Sequence, residues 1–320
     1  MSDFQLIDPD DLARRIAEAD AGEKWMLLEA HFSSIDHPLD SDQPTPDHIP
    51  GAIQVHPSYL ESGTNQAKYY PNYEHPSDGN LLPAPELGLA LNRLGITPNT
   101  LVVVYGTEPD GTMAAARLAW GLMVAGVGTV RLLDGGIDAW LAYGGDSVPV
   151  IATALEISRC SGNLYDEQPP WRPRLEYLAT TAEVLEACRN THRTSSKLVD
   201  VRKPGEWDGT LKHYYSFFSK AGHIPNAILQ GDWDNLLDMK THRLQPTLES
   251  VALRWREQGI IDAGVTDGST TLIFYCGTGW RSSISFLVAQ LLGLRAKNYD
   301  DGFYGWSWND ENEIVLGKVP

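Results

Sequence analysis

Short apolar runs alternate with stretches of helical period along this chain. Leu101-Val102-Val103-Val104-Tyr105 and Leu272-Ile273-Phe274-Tyr275 are apolar on both faces, as strands buried inside a sheet are. A helical stretch follows each. Ala115, Leu118, Ala119 and Leu122 fall at i, i+3, i+4 and i+7, and Ile284, Leu287, Val288 and Leu291 repeat that spacing, with Gly293 placed as a stop. Thr180-Thr181-Ala182-Glu183 has the spacing of a capping box ahead of Val184, Leu185 and Cys188. Buried strands alternating with amphipathic helices predict a parallel sheet covered by helices, an α/β fold.

The pattern is written twice. Trp25-Met26-Leu27-Leu28-Glu29-Ala30, His48-Ile49-Pro50-Gly51-Ala52, Leu101 to Gly106 and Asp134-Gly135-Gly136-Ile137-Asp138-Ala139-Trp140 occur in that order in the first half. Leu198-Val199-Asp200-Val201, His223-Ile224-Pro225-Asn226-Ala227, Leu272 to Cys276 and Asp301-Gly302-Phe303-Tyr304-Gly305-Trp306 follow in the second. Matched positions are offset by 171 (Glu29, Asp200), 175 (His48, His223), 170 (Gly106, Cys276) and 166 (Trp140, Trp306). So long a period predicts a duplicated domain and not a solenoid. We divide the chain into domains 1–147 and 176–320, joined by a linker over 148–175 that carries Pro149, Pro169, Pro170 and Pro173.

Composition narrows the partners. With 42 acidic against 25 basic residues, the net charge is −17, which argues against nucleic acid or an anionic membrane. An anionic substrate then needs a local positive pocket. No apolar run reaches the roughly 18 residues of a membrane span. Met1-Ser2-Asp3-Phe4 leads into Asp8, Asp10 and Asp11 with no basic-then-apolar leader, so the expected location is cytoplasmic. Cys160, Cys188 and Cys276 are too few and too scattered for a disulfide framework or a metal site, and no cofactor is expected.

Cys276-Gly277-Thr278-Gly279-Trp280-Arg281 is the segment that carries chemistry. A strand ending in a glycine turn that feeds a helix gathers backbone N–H groups at a point of positive potential. A thiol there is expected to ionise readily, and the thiolate is the nucleophile. Gly277 and Gly279 let the backbone curl, Thr278 offers a hydroxyl and Arg281 a positive charge.

Together these segments resemble the two-domain form of the rhodanese (sulfurtransferase) family, over nearly the whole chain. The resemblance rests on Asp200-Val201-Arg202, the two His-Ile-Pro segments, the Cys276–Arg281 loop and the Asp301–Trp306 segment. It implies two tandem α/β domains, the first without the cysteine, Gly106 standing in its place. It implies that Cys276 takes sulfur from a small anionic donor, becomes a persulfide, and passes the sulfur to cyanide, a thiol or a dithiol protein. Arg202 is expected to face the pocket and to suit a carboxylate or thiosulfonate, and His48 to lie near the cleft. Gly277-Thr278-Gly279 leans the donor toward 3-mercaptopyruvate, with thiosulfate close behind, because family members preferring thiosulfate carry basic residues there. Trp280-Arg281 departs from the Val-Thr of both eukaryotic types.

Plainer explanations compete at each position. Cys188 fits a core thiol, and Cys160 in the linker has no evident role. Arg202 could pair with Glu206 on the surface, and Arg281 could be an exposed helix-start residue. His48 and His223 could fix their Ile-Pro turns, Asp134 and Asp200 could satisfy backbone donors, and Trp140 and Trp306 could anchor cores. Trp280 walls the pocket or packs between domains, and His213-Tyr214-Tyr215 could rim the site. A cysteine-dependent phosphatase or arsenate reductase is a rival enzyme, but its Cys-to-Arg loop is one residue longer. The other rival is a non-catalytic binding module, as the first half already resembles.

Overall fold

A computed structural model describes residues 4–18, 24–30, 48–65, 70–71, 73–108, 110–148, 170–189, 196–211, 220–262 and 270–317. Its elements run in chain order as β1 (Phe4–Ile7), α1 (Pro9–Ala17), β2 (Trp25–Ala30), β3 (Ile53–Val55), β4 (Thr64–Asn65), β5 (Tyr70–Pro71), α2 (Ala84–Arg93), β6 (Leu101–Gly106), α3 (Gly111–Ala125), β7 (Thr129–Leu133) and α4 (Gly136–Tyr143). The second half supplies β8 (Leu178–Ala179), α5 (Thr181–Arg189), β9 (Ser196–Asp200), α6 (Pro204–Asp208), β10 (Ile228–Leu229), α7 (Leu248–Glu257), β11 (Thr271–Tyr275), α8 (Arg281–Leu291), β12 (Arg295–Tyr299) and α9 (Gly302–Trp308).

The duplication is visible in the topology. One five-stranded sheet has the order β1-β7-β6-β2-β3, the other β8-β12-β11-β9-β10, and every pairing within both is parallel. Each half begins with an edge strand and sends its chain back to the centre. Each then ends on the strand beside that edge. β4 and β5 form a separate antiparallel pair. The His-Ile-Pro turns are clamped alike. Ile49 N–H donates to Tyr105 Oη at 3.0 Å, and Ile224 N–H to Tyr275 Oη at 3.2 Å. His48 pairs through its backbone with Val148, and His223 with Val315. Trp140 and Trp306 are buried core anchors, each donating its indole N–H to a carbonyl further along, Asp146 and Glu313. The capping box before α5 forms as expected, with Thr180 N–H on Glu183 at 2.8 Å and Glu183 N–H on Thr180 at 3.3 Å.

The halves meet through α3 and α8, and one apolar cluster runs through both sheets. The helical spacing predicts a one-sided apolar stripe on α3, yet almost every residue of that helix is buried. The cause is the second half: one face of α3 covers its own sheet and another meets α8. Ala114, Ala115, Ala116 and Ala119 keep its girth small. The seam is also cross-linked reciprocally. Asp300 accepts Leu81 N–H at 2.7 Å, and its repeat partner Asp134 accepts Leu244 N–H at 2.7 Å. Most of the linker, 149–169, lies outside the described residues. Where the chain resumes, Trp171 donates to Asn92 and Arg174 N–H to Val124 O, so 171–174 run along the first half.

Candidate active site

Cys276 follows the last residue of β11, the central strand of its sheet, flanked by the carboxyl ends of β9 and β12. That is where open parallel sheets place ligands. The loop's shape is imposed from outside. Cys276 O accepts Phe303 N–H at 2.8 Å, and Gly277 O accepts Tyr304 N–H at 2.9 Å, both from the first turn of α9. Gly279 O accepts from Asn298 Nδ2 and Ser283 Oγ, each at 2.9 Å, and from Arg117 Nη1 at 3.4 Å. Peptide units are planar and trans, so a carbonyl pulled one way sends the next residue's N–H the other way. The N–H groups of Gly277, Thr278 and Trp280 are thereby turned away from these anchors. The backbone N–H groups of Gly277, Thr278, Gly279 and Ser282 have no acceptor among the described residues.

Two glycines make this shape possible. Gly279 has φ +76°, and a Cβ there would stand 2.7 Å from Asp300 Oδ1. Gly302 has φ +58° and lets α9 press onto the loop, where a Cβ would meet Gly277 O at 2.4 Å. The first half repeats the second device, Gly136 lying against Gly106 O with the same 2.4 Å approach.

The Cys276 side chain lies at the margin of the apolar cluster, with a hydroxyl beside its sulfur. Cys276 is 1% exposed, and Ser282 Oγ lies 3.5 Å from its Sγ, within hydrogen-bonding range for sulfur. Ser282 was not singled out from the sequence, although it follows Trp280-Arg281 at the start of α8 and so had to face the loop. The Thr278 side chain makes no hydrogen bond to another described residue, which leaves its hydroxyl for a ligand. Gly277, Thr278, Gly279 and Trp280 complete the loop between Cys276 and α8.

Geometry commits both expected ligand arginines to carboxylates. Arg281 is buried, and its fork is spent on Glu206 of α6, at 2.8 and 2.9 Å, with Asp232 at 3.6 Å. Its charge is compensated, and it ties the end of the loop to α6. Arg202 is also buried. It grips Asp200 through Nε and Nη2, donates to Gly222 O at 2.8 Å, and packs over Phe303 at 4.2 Å. It therefore braces the strand end and the His-Ile-Pro turn, and neither a surface pair with Glu206 nor a fork on substrate describes it. His48 is held through its backbone in the turn of its own half, as His223 is. His223 stacks on Trp207 at 3.5 Å and bonds to Trp207 O through Nδ1.

What the first half contributes comes from elsewhere. The His56 ring lies 5.9 Å from that of Trp280, and Glu61 shares a side-chain hydrogen bond with Trp280. Of the two roles considered for Trp280, packing between domains is the one seen. Glu61 is buried and bonded to Arg117 at 2.8 Å, and Arg117 also meets Asp300 at 2.6 Å. Burial pushes the Glu61 carboxyl up to about 7 despite its cation, and burial raises Asp300 as well. Cys188 is half-buried at the edge of the second core, and loss of solvent pushes its thiol up to about 12, in keeping with a packing role. Cys160 and His213-Tyr214-Tyr215 lie outside the described residues.

Comparison with known proteins adds to this geometry. The sequence model of a family described as "Rhodanese-like domain" matches residues 38–143 and 181–308. Thiosulfate sulfurtransferase YnjE of Escherichia coli (strain K12) is 28% identical over 304 residues, 92% of this chain and 60% of that protein. A thiosulfate sulfurtransferase of Pseudomonas aeruginosa is 28% identical over 323 residues, 98% of each. This chain thus spans about 60% of the length of YnjE and nearly all of the Pseudomonas protein. Among solved structures, an EanB variant with ergothioneine covalently linked to a cysteine persulfide superposes with a TM-score of 0.73. It is 27% identical, covering 98% of this chain and 70% of that one. In the same series a variant is described at a threonine two positions beyond that cysteine, the spacing of Cys276 and Thr278 here. No helix among the described residues is long and apolar enough to cross a membrane.

Proposed function

This chain belongs to the rhodanese-like domain family, and from that premise we propose that it is a sulfurtransferase working through a persulfide on Cys276. The cysteine thiolate attacks the outer sulfur of thiosulfate. The S–S bond of the donor breaks, its electron pair leaves with sulfite, and Cys276 is left as a persulfide anion. An acceptor thiolate or cyanide then attacks the terminal sulfur and releases the Cys276 thiolate, so no external oxidant is needed. A reduced dithiol protein serves in the same way as a thiol. We place thiosulfate first among donors because the curated relatives bear that name, and 3-mercaptopyruvate second.

The observation that carries this reading is the set of buried loop N–H groups without an acceptor. Each such group costs about 1–3 kcal/mol when left unmade. A protein keeps several of them around one sulfur when a passing anion satisfies them: the donor's oxyanion, the attacked sulfur, then the persulfide. With Arg202 and Arg281 both committed to carboxylates, the donor's charge falls to these amides, the Thr278 hydroxyl and the N-terminus of α8. The same commitment speaks against a phosphatase, which would need the arginine at the loop's end to hold phosphate.

The test is mass spectrometry of the intact protein after incubation with thiosulfate, and separately with 3-mercaptopyruvate, followed by peptide mapping. The expected product carries one extra sulfur on Cys276, removable by cyanide as thiocyanate. A protein that gains no sulfur from either donor, with Cys276 reduced at the outset, overturns the proposal in favour of a binding module.

A further inference from the structure

Arg117 is a fully buried cation on α3, in the half of the molecule that lacks the cysteine. Its Nε donates to Glu61 at 2.8 Å and its Nη2 to Gly79 O at 2.9 Å, both in its own half. Its Nη1 crosses the seam to Asp300 at 2.6 Å and Gly279 O at 3.4 Å. Gly279 O belongs to the peptide whose N–H is that of Trp280, one of the groups turned away from the loop's anchors. Glu61, the other end of the same ion cluster, holds the Trp280 side chain. One cluster therefore grips the Gly279–Trp280 segment through both its backbone and its side chain.

We propose that Arg117 is a positioning residue for sulfur transfer: it is the means by which the cysteine-free half holds the loop's donors in register around Cys276. The inference rests on the sulfurtransferase reading and adds to it a residue 159 positions away from the nucleophile. Stability alone does not account for the cluster. Replacing buried ion groups by well-packed apolar side chains is often neutral or stabilising. This molecule supplies the comparison itself. The matching stretch of α8, Ser285-Phe286-Leu287, is equally buried at the same seam and carries no charge. Across the pseudo-symmetric contact, Asp134 is satisfied by the backbone N–H groups of Leu244 and Gln245. Asp300 takes a backbone N–H in the same manner and, in addition, the arginine. The charge is present where there is a loop to hold.

The experiment measures single-turnover loading of Cys276 by saturating thiosulfate in wild type and Arg117→Lys. Lysine retains a cation for the two carboxylates but is a single point donor and cannot span Glu61, Asp300 and the two carbonyls. The expected result is loading slowed by roughly 10- to 100-fold, with the half-saturating thiosulfate concentration within about threefold of wild type, because loop donors act on the transition state. A merely structural residue would lower the unfolding midpoint and leave the loading rate of the folded fraction unchanged, and that result overturns the inference. If near-ultraviolet circular dichroism shows Arg117→Lys unfolded, Glu61→Gln decides. It leaves Arg117 paired with Asp300, and loading slowed by about three- to tenfold supports positioning, whereas an unchanged rate removes it. A wild-type protein that takes up no sulfur instead overturns the sulfurtransferase reading, and this inference with it.

Discussion

The loops that follow β6 and β11 occupy the same place in two copies of one fold, and they have opposite characters. After β11 the loop carries Cys276, its carbonyls are anchored outward, and α8 begins with Arg281, Ser282 and Ser283 and has no carboxylate in its first turn. After β6 the loop closes on itself: a Cβ at Gly106 would lie 2.0 Å from Gly111 O. The N-terminus of α3 is moreover occupied by the chain's own acid. Glu108 accepts Thr112 N–H at 3.1 Å and Thr112 Oγ1 at 2.5 Å. A helix start that already holds a carboxylate has its positive potential spent. The first copy thus differs by more than a missing thiol. It has no room for a side chain at the nucleophile's position, and its anion site is filled from within.

The largest effect should come from trying to exchange the two. Cys276→Ser is expected to abolish sulfur uptake, since a hydroxyl neither forms a persulfide nor ionises near neutral pH. Adding Gly106→Cys to that variant should restore nothing and should lower unfolding stability by at least about 2 kcal/mol, because the new Cβ collides with backbone and not with a movable side chain. Sulfur uptake by mass and urea midpoints measure both. Recovery of loading at residue 106 would mean that the loops differ in the thiol alone.

A middle-sized effect sharpens the comparison through the seam. The first half lends Glu61 to the second half's loop, and burial raises that carboxyl to about 7 in the folded protein, above its ordinary value of 4.5. A folded-state value above the unfolded one means the folded state holds the proton more tightly. Its contribution to stability is therefore full below about pH 4.5 and is lost as pH rises through 7. The loss is on the order of 3 kcal/mol, from the size of that shift. Glu61→Gln cannot titrate, so the variant should gain on wild type by about that amount between pH 4.5 and 8, measured by urea unfolding across the range. A difference between the two proteins that does not change with pH would show that Glu61 stays ionised throughout.

The sequence made the sheets, the repeat and the sulfur's loop readable because each depends on local order: apolar runs, turn glycines and their spacing. It was less informative about which charges face each other. Arg281 meets Glu206, 75 positions earlier, and Arg117 meets Asp300, 183 positions later, so no spacing rule brings these partners together. Arg202 illustrates the opposite case. Its partner Asp200 is two residues away, and an extended segment puts i and i+2 on one face, so here a spacing rule does bring the partners together. A signal was available for Arg117. A lone arginine inside Ala114-Ala115-Ala116-Arg117-Leu118-Ala119-Trp120 breaks an apolar run that leaves no polar face for it, and a charge so placed needs buried partners.

The smallest effect tests whether the first loop's carboxylate serves only its own helix. Glu108→Ala removes the acceptor for Thr112 N–H and the favourable charge at the start of α3. Losing a helix cap of this kind costs about 1 kcal/mol, to be read from the urea midpoint. The half that holds Cys276 depends on α3 through Arg117, nearly two turns further along the helix, whose contacts this change does not touch. Thiosulfate loading should therefore stay within about twofold of wild type. A stability loss accompanied by much slower loading would mean that the start of α3 also sets the position of Arg117, and the two loops would then be coupled through that helix and not merely copies that diverged.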